Sequence, residues 1–379
     1  MPSGFVNYDD ISYKNMNGEN DPAGSLSPFT FLCITLALVF FGLLILYSAS
    51  FEKAVLEGLG HYHYFIRQVL TAFLAVVAGL LCSYVPLHML LKGWYVLLPV
   101  SLLMALGSLL PGFSSNGHIV IDDLVLIQPG LLCSVTAVLV ASDFIPDNDA
   151  LSGMKKVPYL LSFLSIALLM ILSALSSGLG YYVLTAIVTI AVFRSKHLPL
   201  WGTLFFLLLS AAGAFLLQRL TFISGMYPAL DAQQAGYCLK AARDGGVAGV
   251  GIGSGLYKLD YLAYPESFQI TAVLFEETGI IGFSVYIVLL LVMAVLGFRT
   301  AGRARRRSQG KYEALTLSLT AFLVVPAALC AMDVLSILPL PGLILPYAGY
   351  SIPSEFMTML VTCILYRLVY LEGRSSDVR

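Results

Sequence analysis

Apolar residues in this chain run in long blocks separated by short polar stretches, with little of the alternation that marks half-buried strands. A bilayer core needs about 20 apolar residues per helix. By that measure the pattern predicts ten spans: 29–50, 65–85, 89–111, 128–143, 158–175, 179–194, 199–218, 269–298, 313–335 and 347–371. The fourth is short, and the fifth and sixth are joined only by Ser176-Ser177-Gly178. The expected fold is all-α, a polytopic membrane helix bundle. Residues 1–28 form a polar tail, 29–371 the transmembrane domain, and 372–379 a second short tail. Ser27 and Pro28 read as N-cap and first residue of the first span. That span is too long for the core of a cleaved signal peptide.

Basic residues orient the bundle. Arg299, Arg303, Arg305, Arg306, Arg307 and Lys311 crowd the loop after the eighth predicted span. Lys155, Lys156, Arg194, Lys196, Arg367 and Arg374 fall on the same side when the spans alternate. That side is expected to be cytoplasmic, with both termini. The opposite face then carries loops 112–127, about 219–268 and 336–346. The long loop at 219–268 contains Tyr227, Leu239, Tyr257, Tyr261 and Leu262, which predicts short helices lying against the outer face.

Composition agrees with a membrane protein. Of 379 residues 58% are hydrophobic and 11% charged, against about 25% charged in soluble domains, and the mean hydropathy is +0.86. A net charge of −1 with no basic domain excludes nucleic acid as a partner. Six cysteines, five of them in apolar stretches, do not form a disulfide framework. His61 and His63 have no spaced Cys or acid to complete a metal site, so no metal or cofactor is expected, and dependence on a divalent cation is left open.

The polar, glycine-dense stretch Gly245–Gly279 stands out. Within it, Gly249–Gly255 reads GVGIGSG, but no strand precedes it in a βαβ unit, so a dinucleotide loop is not expected. Two readings remain: a tight turn that brings backbone close to a helix, or N–H groups offered to an anionic headgroup. Lys258 is either half of a solvated pair with Asp260 or a phosphate contact that Asp260 orients. Glu276 and Glu277 lie just inside the eighth span, where acids either serve structural hydrogen bonds or face a wet cavity. Asp122 and Asp123 read as solvated acids in an outward loop.

Several segments resemble the SEDS family of bacterial cell-wall proteins, the FtsW/RodA/SpoVE group. Leu46–Ser50 (LYSAS) looks like the end of that family's first span. Residues Tyr64-Phe65-Ile66-Arg67-Gln68 resemble its entry to the second. Ser115-Asn116-Gly117 with Ile127-Gln128-Pro129, KLDYL at Lys258–Leu262 with AVLFEETGIIG after it, and Leu338-Pro339 through Ser354 resemble further family motifs, in order over 29–371. The resemblance implies polymerisation of lipid II, an undecaprenyl-linked precursor, into glycan strands outside the inner membrane, for division or elongation. It implies a class B penicillin-binding transpeptidase and other divisome or elongasome proteins as partners. An inactive scaffold and a lipid II flippase are the alternatives.

Aligned without gaps, the family's catalytic Asp falls on Phe268, and Glu266 is the nearest carboxylate and the candidate replacement base. Lys258, Lys240 and Arg243 are the candidate pyrophosphate contacts, with Asp260, Gln128, Glu276 and Glu277 as further substrate-binding candidates. Other charged family positions fall on Leu126, Leu131, Ser134 and Gly178, and the paired glycines of the last motif on Ser351-Ile352.

Overall fold

The computed structural model describes residues 26–110, 114–115, 118–121, 124–144, 156–198, 200–221, 232–307, 309–338 and 342–377. Asp122, Asp123 and Lys155 lie outside the described residues. Thirteen helices and three short strands follow one another in those residues. Six helical segments are long and apolar enough to cross a membrane, and four shorter apolar helices stand where the remaining predicted spans lie. The protein is a multi-pass membrane protein.

Helix α1, Leu26–Leu56, starts before Pro28 and runs six residues past the predicted end of its span. That extra length carries Lys53 outward. Helix α2 is His63–Tyr84. The third predicted span is two helices, α3 (Leu87–Lys92) and α4 (Trp94–Gly107), meeting at Gly93. A three-stranded antiparallel sheet follows, with β1 Ser114–Ser115, β2 His118–Ile121 and β3 Leu124–Ile127. Helices α5 (Pro129–Phe144), α6 (Lys156–Ser177), α7 (Leu179–Ser195) and α8 (Leu200–Thr221) come next. One residue, Gly178 at φ 98°, separates α6 from α7, a backbone state that glycine tolerates best.

The long outward loop contains α9 (Ala232–Gly245) and the single turn α10 (Tyr257–Asp260), the short helices the sequence predicts. Helices α11 (Ile270–Arg306), α12 (Gly310–Val334) and α13 (Ile352–Asp377) complete the bundle. The larger core joins α1, α2, α5, α7, α9 and α11 to α13, with Leu38, Ile45, Tyr181, Leu290, Leu315 and Leu365 at its centre. A second core, around Ile166, Leu169, Phe193 and Phe206, joins α4 to α8. Exposed Phe40, Leu81, Trp201, Phe205, Leu208 and Val288 form the apolar outer surface that suits a lipid environment.

Polar pairs mark the two ends of the bundle. At one end Lys311 and the Trp94 indole both bind Asp143, Arg305 reaches His197 and Glu313, and Arg367 donates to the Val85 carbonyl. This is the end that carries the predicted cytoplasmic cluster. At the other end lie the C-terminus of α1, the N-terminus of α2, residues 256–269 and the turn before α13.

Helix α11 is broken. Gly279 has φ 65° and ψ −168°, so Ile270–Thr278 and the rest of α11 are separate helical pieces. A break inside a span frees backbone groups that must find partners. The glycine loop supplies them: Val250 and Gly251 donate N–H to the carbonyls of Glu276 and Glu277 at 2.9 and 3.0 Å. In return, Ile280 and Ile281 donate to the carbonyls of Gly246 and Val247 at 3.0 and 3.1 Å. The fit needs glycine on both sides, because a Cβ on Gly249 would lie 2.2 Å from the Glu277 carbonyl oxygen and one on Gly279 2.4 Å from the Gly249 nitrogen. Of the two readings of GVGIGSG, the turn that brings backbone against a helix is the one observed.

Candidate functional site

Two ion pairs lie where the outer end of α1 meets the segment 256–277. The inner one is Lys258 with Glu277 at 2.6 Å. Ser48 of α1 completes it, donating to the same Glu277 oxygen at 2.6 Å and accepting from Lys258 at 2.7 Å. Both charged side chains are sealed, at 6% and 0% exposure. Lys258 is therefore committed inside the protein, and its orienting partner is Glu277. Asp260, which the sequence offered as either its solvated partner or its orienting group, is exposed. Glu276 accepts the N–H groups of Leu256 and Tyr257 at 2.5 and 3.2 Å, so it satisfies the start of α10. Both acids at the mouth of α11 thus serve hydrogen bonds that hold local structure.

The outer pair is Lys53 with Glu266, at 2.5 Å. Glu266 is buried, whereas the Lys53 side chain is 30% exposed, so this pair communicates with the outer surface. Aromatic rings box the ammonium, which lies 5.8 Å from the Tyr64 centroid and 5.7 Å from that of Tyr264. The Tyr64 ring meets Tyr350 edge-on at 4.9 Å and its hydroxyl donates to Glu57. Tyr350 in turn donates its backbone N–H to the Glu266 carbonyl at 2.7 Å and is reached by Arg67. Four separate pieces of chain, the ends of α1 and α2, residues 264–268 and the turn before α13, converge around Glu266.

Phe268 is half-buried and packs edge-on against Tyr264 at 5.9 Å between centroids. Beneath the turn before α13, Gln68 donates to the Gly349 carbonyl at 3.2 Å and faces fully buried Glu355. The remaining candidates are placed apart from the Lys53–Glu266 pair. Gln128 is buried and bonds to Tyr181. Lys240 and Arg243 are exposed on α9, with the Lys240 ammonium 5.8 Å from the Tyr237 ring. On the same helix, Asp244 accepts from the Tyr257 hydroxyl at 2.7 Å, which pushes that phenol up to about 12.

Neutral groups occupy positions where the resemblance would put charge. Ser134 is buried and bonds to Thr185 at 2.7 Å and to the Gly130 carbonyl at 2.8 Å. The Gly130 N–H donates to Ser177 at 2.9 Å, beside Gly178. Leu131 is a core residue.

A sequence profile described as a cell cycle protein family, FtsW/RodA/SpoVE, matches residues 29–372. The chain belongs to that family. Among its relatives is a Helicobacter pylori protein named "probable peptidoglycan glycosyltransferase FtsW", 26% identical, the match covering 91% of this chain and 97% of the relative. The protein of the same name from Marinobacter nauticus is 27% identical over 90% of this chain and 88% of its own length. The fold matches that of a chain in a peptidoglycan synthase complex, with a TM-score of 0.66, 19% identity, and 91% and 98% of the two chains covered. It also matches RodA, the rod shape determining protein of Thermus thermophilus, with a TM-score of 0.61, 19% identity, and 90% and 95% covered.

Within this FtsW/RodA/SpoVE chain, sequence reasoning singled out Glu266 and missed Lys53. The available signal was Lys53 itself, three residues after LYSAS and the one basic residue between Leu26 and Leu56.

Proposed function

We propose that the protein is a peptidoglycan glycosyltransferase of the FtsW/RodA type in the bacterial cytoplasmic membrane, polymerising lipid II on the outer face beside a class B transpeptidase. In that reaction a sugar hydroxyl of one substrate attacks the anomeric carbon of another. A glycosidic C–O bond forms, the C–O bond to undecaprenyl pyrophosphate breaks, and the hydroxyl proton passes to a base. The observation that carries the reading is Glu266. It is a buried carboxylate, two residues from the position where the family's acid would fall, with one oxygen paired to Lys53. Its other oxygen, Oε2, has no hydrogen-bond partner among the described residues. The names of the FtsW relatives support the same activity.

The test is polymerisation of lipid II by the purified protein with its cognate transpeptidase. Glycan strands are expected, and Glu266→Gln is expected to reduce them by roughly 10²-fold or more, the usual weight of a general base. No strands from wild type, under conditions where an active family member makes them, would exclude the activity.

A second reading is favoured by the neutral Ser134–Thr185 pair, by Phe268 and by the internal commitment of Lys258. It is a scaffold of this family that binds the transpeptidase and other division or elongation proteins without catalysis. It predicts stable association with the transpeptidase in the absence of any strand synthesis.

A further inference from the structure

We infer that Lys53 is a positioning residue for the proposed transfer: it holds Oε1 of Glu266 so that Oε2 is left to receive the proton of the attacking hydroxyl. The inference rests on the glycosyltransferase reading and adds a residue that the sequence motifs do not point to.

Three observations separate the Lys53–Glu266 pair from an ordinary buried staple. It is asymmetric. Oε1 takes the ammonium at 2.5 Å, while buried Oε2 has no hydrogen-bond partner among the described residues, a costly state for a carboxylate in a protein built only for stability. Its cation reaches the outer surface, while the Glu266 side chain is only 4% exposed. Lys53 is 30% exposed, against 6% for Lys258 in the neighbouring pair, and half-buried Phe268 lies beside the carboxylate's own loop. Glu276 and Glu277 also carry unpartnered oxygens, but these lie under the glycine loop, with Gly255 packed on Glu276. Finally, the cation is held rather than tethered. Tyr64 and Tyr264 flank it, and α1 continues past its predicted span end at residue 50 to present it. A four-carbon ammonium stem between two rings fixes the direction from which Oε1 is approached, and hence where Oε2 points.

The experiment uses the full chain with its cognate transpeptidase and lipid II, comparing wild type, Lys53→Met, Lys53→Arg and the charge-swapped Lys53→Glu/Glu266→Lys. Thermal midpoints are read alongside kcat and KM. The expected result is a kcat lowered roughly 10²-fold in Lys53→Met with KM little changed, and substantial activity kept in Lys53→Arg. The charge swap is expected to recover the thermal midpoint without recovering kcat, because the pair is restored while the carboxylate sits on α1 and no longer in the turn before α11. Wild-type kcat in Lys53→Met overturns the inference and leaves the glycosyltransferase reading intact. Recovery of kcat together with stability in the charge swap also overturns it and makes the pair a staple. If Lys53→Met does not fold, Lys53→Arg and the charge swap decide between the same outcomes. Absence of strands from wild type removes the underlying reading and the inference with it.

Discussion

Ser48 of α1 donates a hydrogen bond of 2.6 Å to the same Glu277 oxygen that receives Lys258, so three side chains from three elements meet at one buried atom. Hydrogen bonds to charged groups contribute about 1.5–3 kcal/mol. Ser48→Ala is expected to destabilise the protein by about that amount, measured as a lowered unfolding midpoint in detergent. No change would mean that Lys258 alone satisfies the carboxylate.

Removing the cation from that group should cost more. Lys258→Met leaves Glu277 charged and sealed from water, a change typically worth about 3–5 kcal/mol. The double variant Lys258→Met/Glu277→Gln should recover much of the loss, because no unpaired charge remains. Comparison of the three unfolding curves checks this. A Lys258→Met protein as stable as wild type would show that the pair contributes nothing to the fold.

The glycine loop offers a matched comparison. Gly249 and Gly253 have similar backbone angles, φ 79° and 85°, but a Cβ on Gly249 would strike the Glu277 carbonyl while one on Gly253 meets nothing within 4 Å. Gly253→Ala should therefore cost only the left-handed backbone penalty of about 1–2 kcal/mol. Gly249→Ala should cost clearly more, or prevent folding, because the donors to the break in α11 must move away. Expression yield and thermal midpoint of the two variants provide the measurement.

How much of this could be read from the chain differs from residue to residue. The ten apolar blocks were legible because membrane helices announce themselves by length and hydropathy, and the α6–α7 break was visible as Ser-Ser-Gly. Lys53 was not, because the predicted span ended where polar residues began, whereas the helix continues through them to Leu56. The break in α11 was equally hidden: Gly279 reads as the last glycine of a polar stretch where the eighth span is already under way, and only the long-range pairing of residues 276–281 with Gly246–Gly251 shows the interruption. Lys258 and Glu277 were each noticed, but nothing local says that they pair, or that Ser48, 210 positions from Lys258, joins them.

Cys238 tests the packing of α9. Burial pushes its thiol up to about 12, with Asp333 and its negative charge adding to the effect. The thiolate is thus suppressed at neutral and mildly alkaline pH, and access is blocked as well. Maleimide labelling of the native protein at pH 8, read by peptide mass spectrometry, should leave Cys238 unmodified, and unfolding should expose it. Prompt labelling of the folded protein would show α9 detached from the bundle.

The four backbone hydrogen bonds across the α11 break also change how displacement travels through the molecule. An unbroken helix would transmit motion only along its own axis, from the outer surface to the basic end. Here the glycine loop is clamped sideways into the helix at Gly279, one turn from Glu276. A tug on α9 from outside is therefore delivered to both pieces of α11 at the break: through Val250 and Gly251 to the residues that secure the start of α10 and Ser48, and through Gly246 and Val247 to Ile280 and Ile281 at the head of the long inner piece.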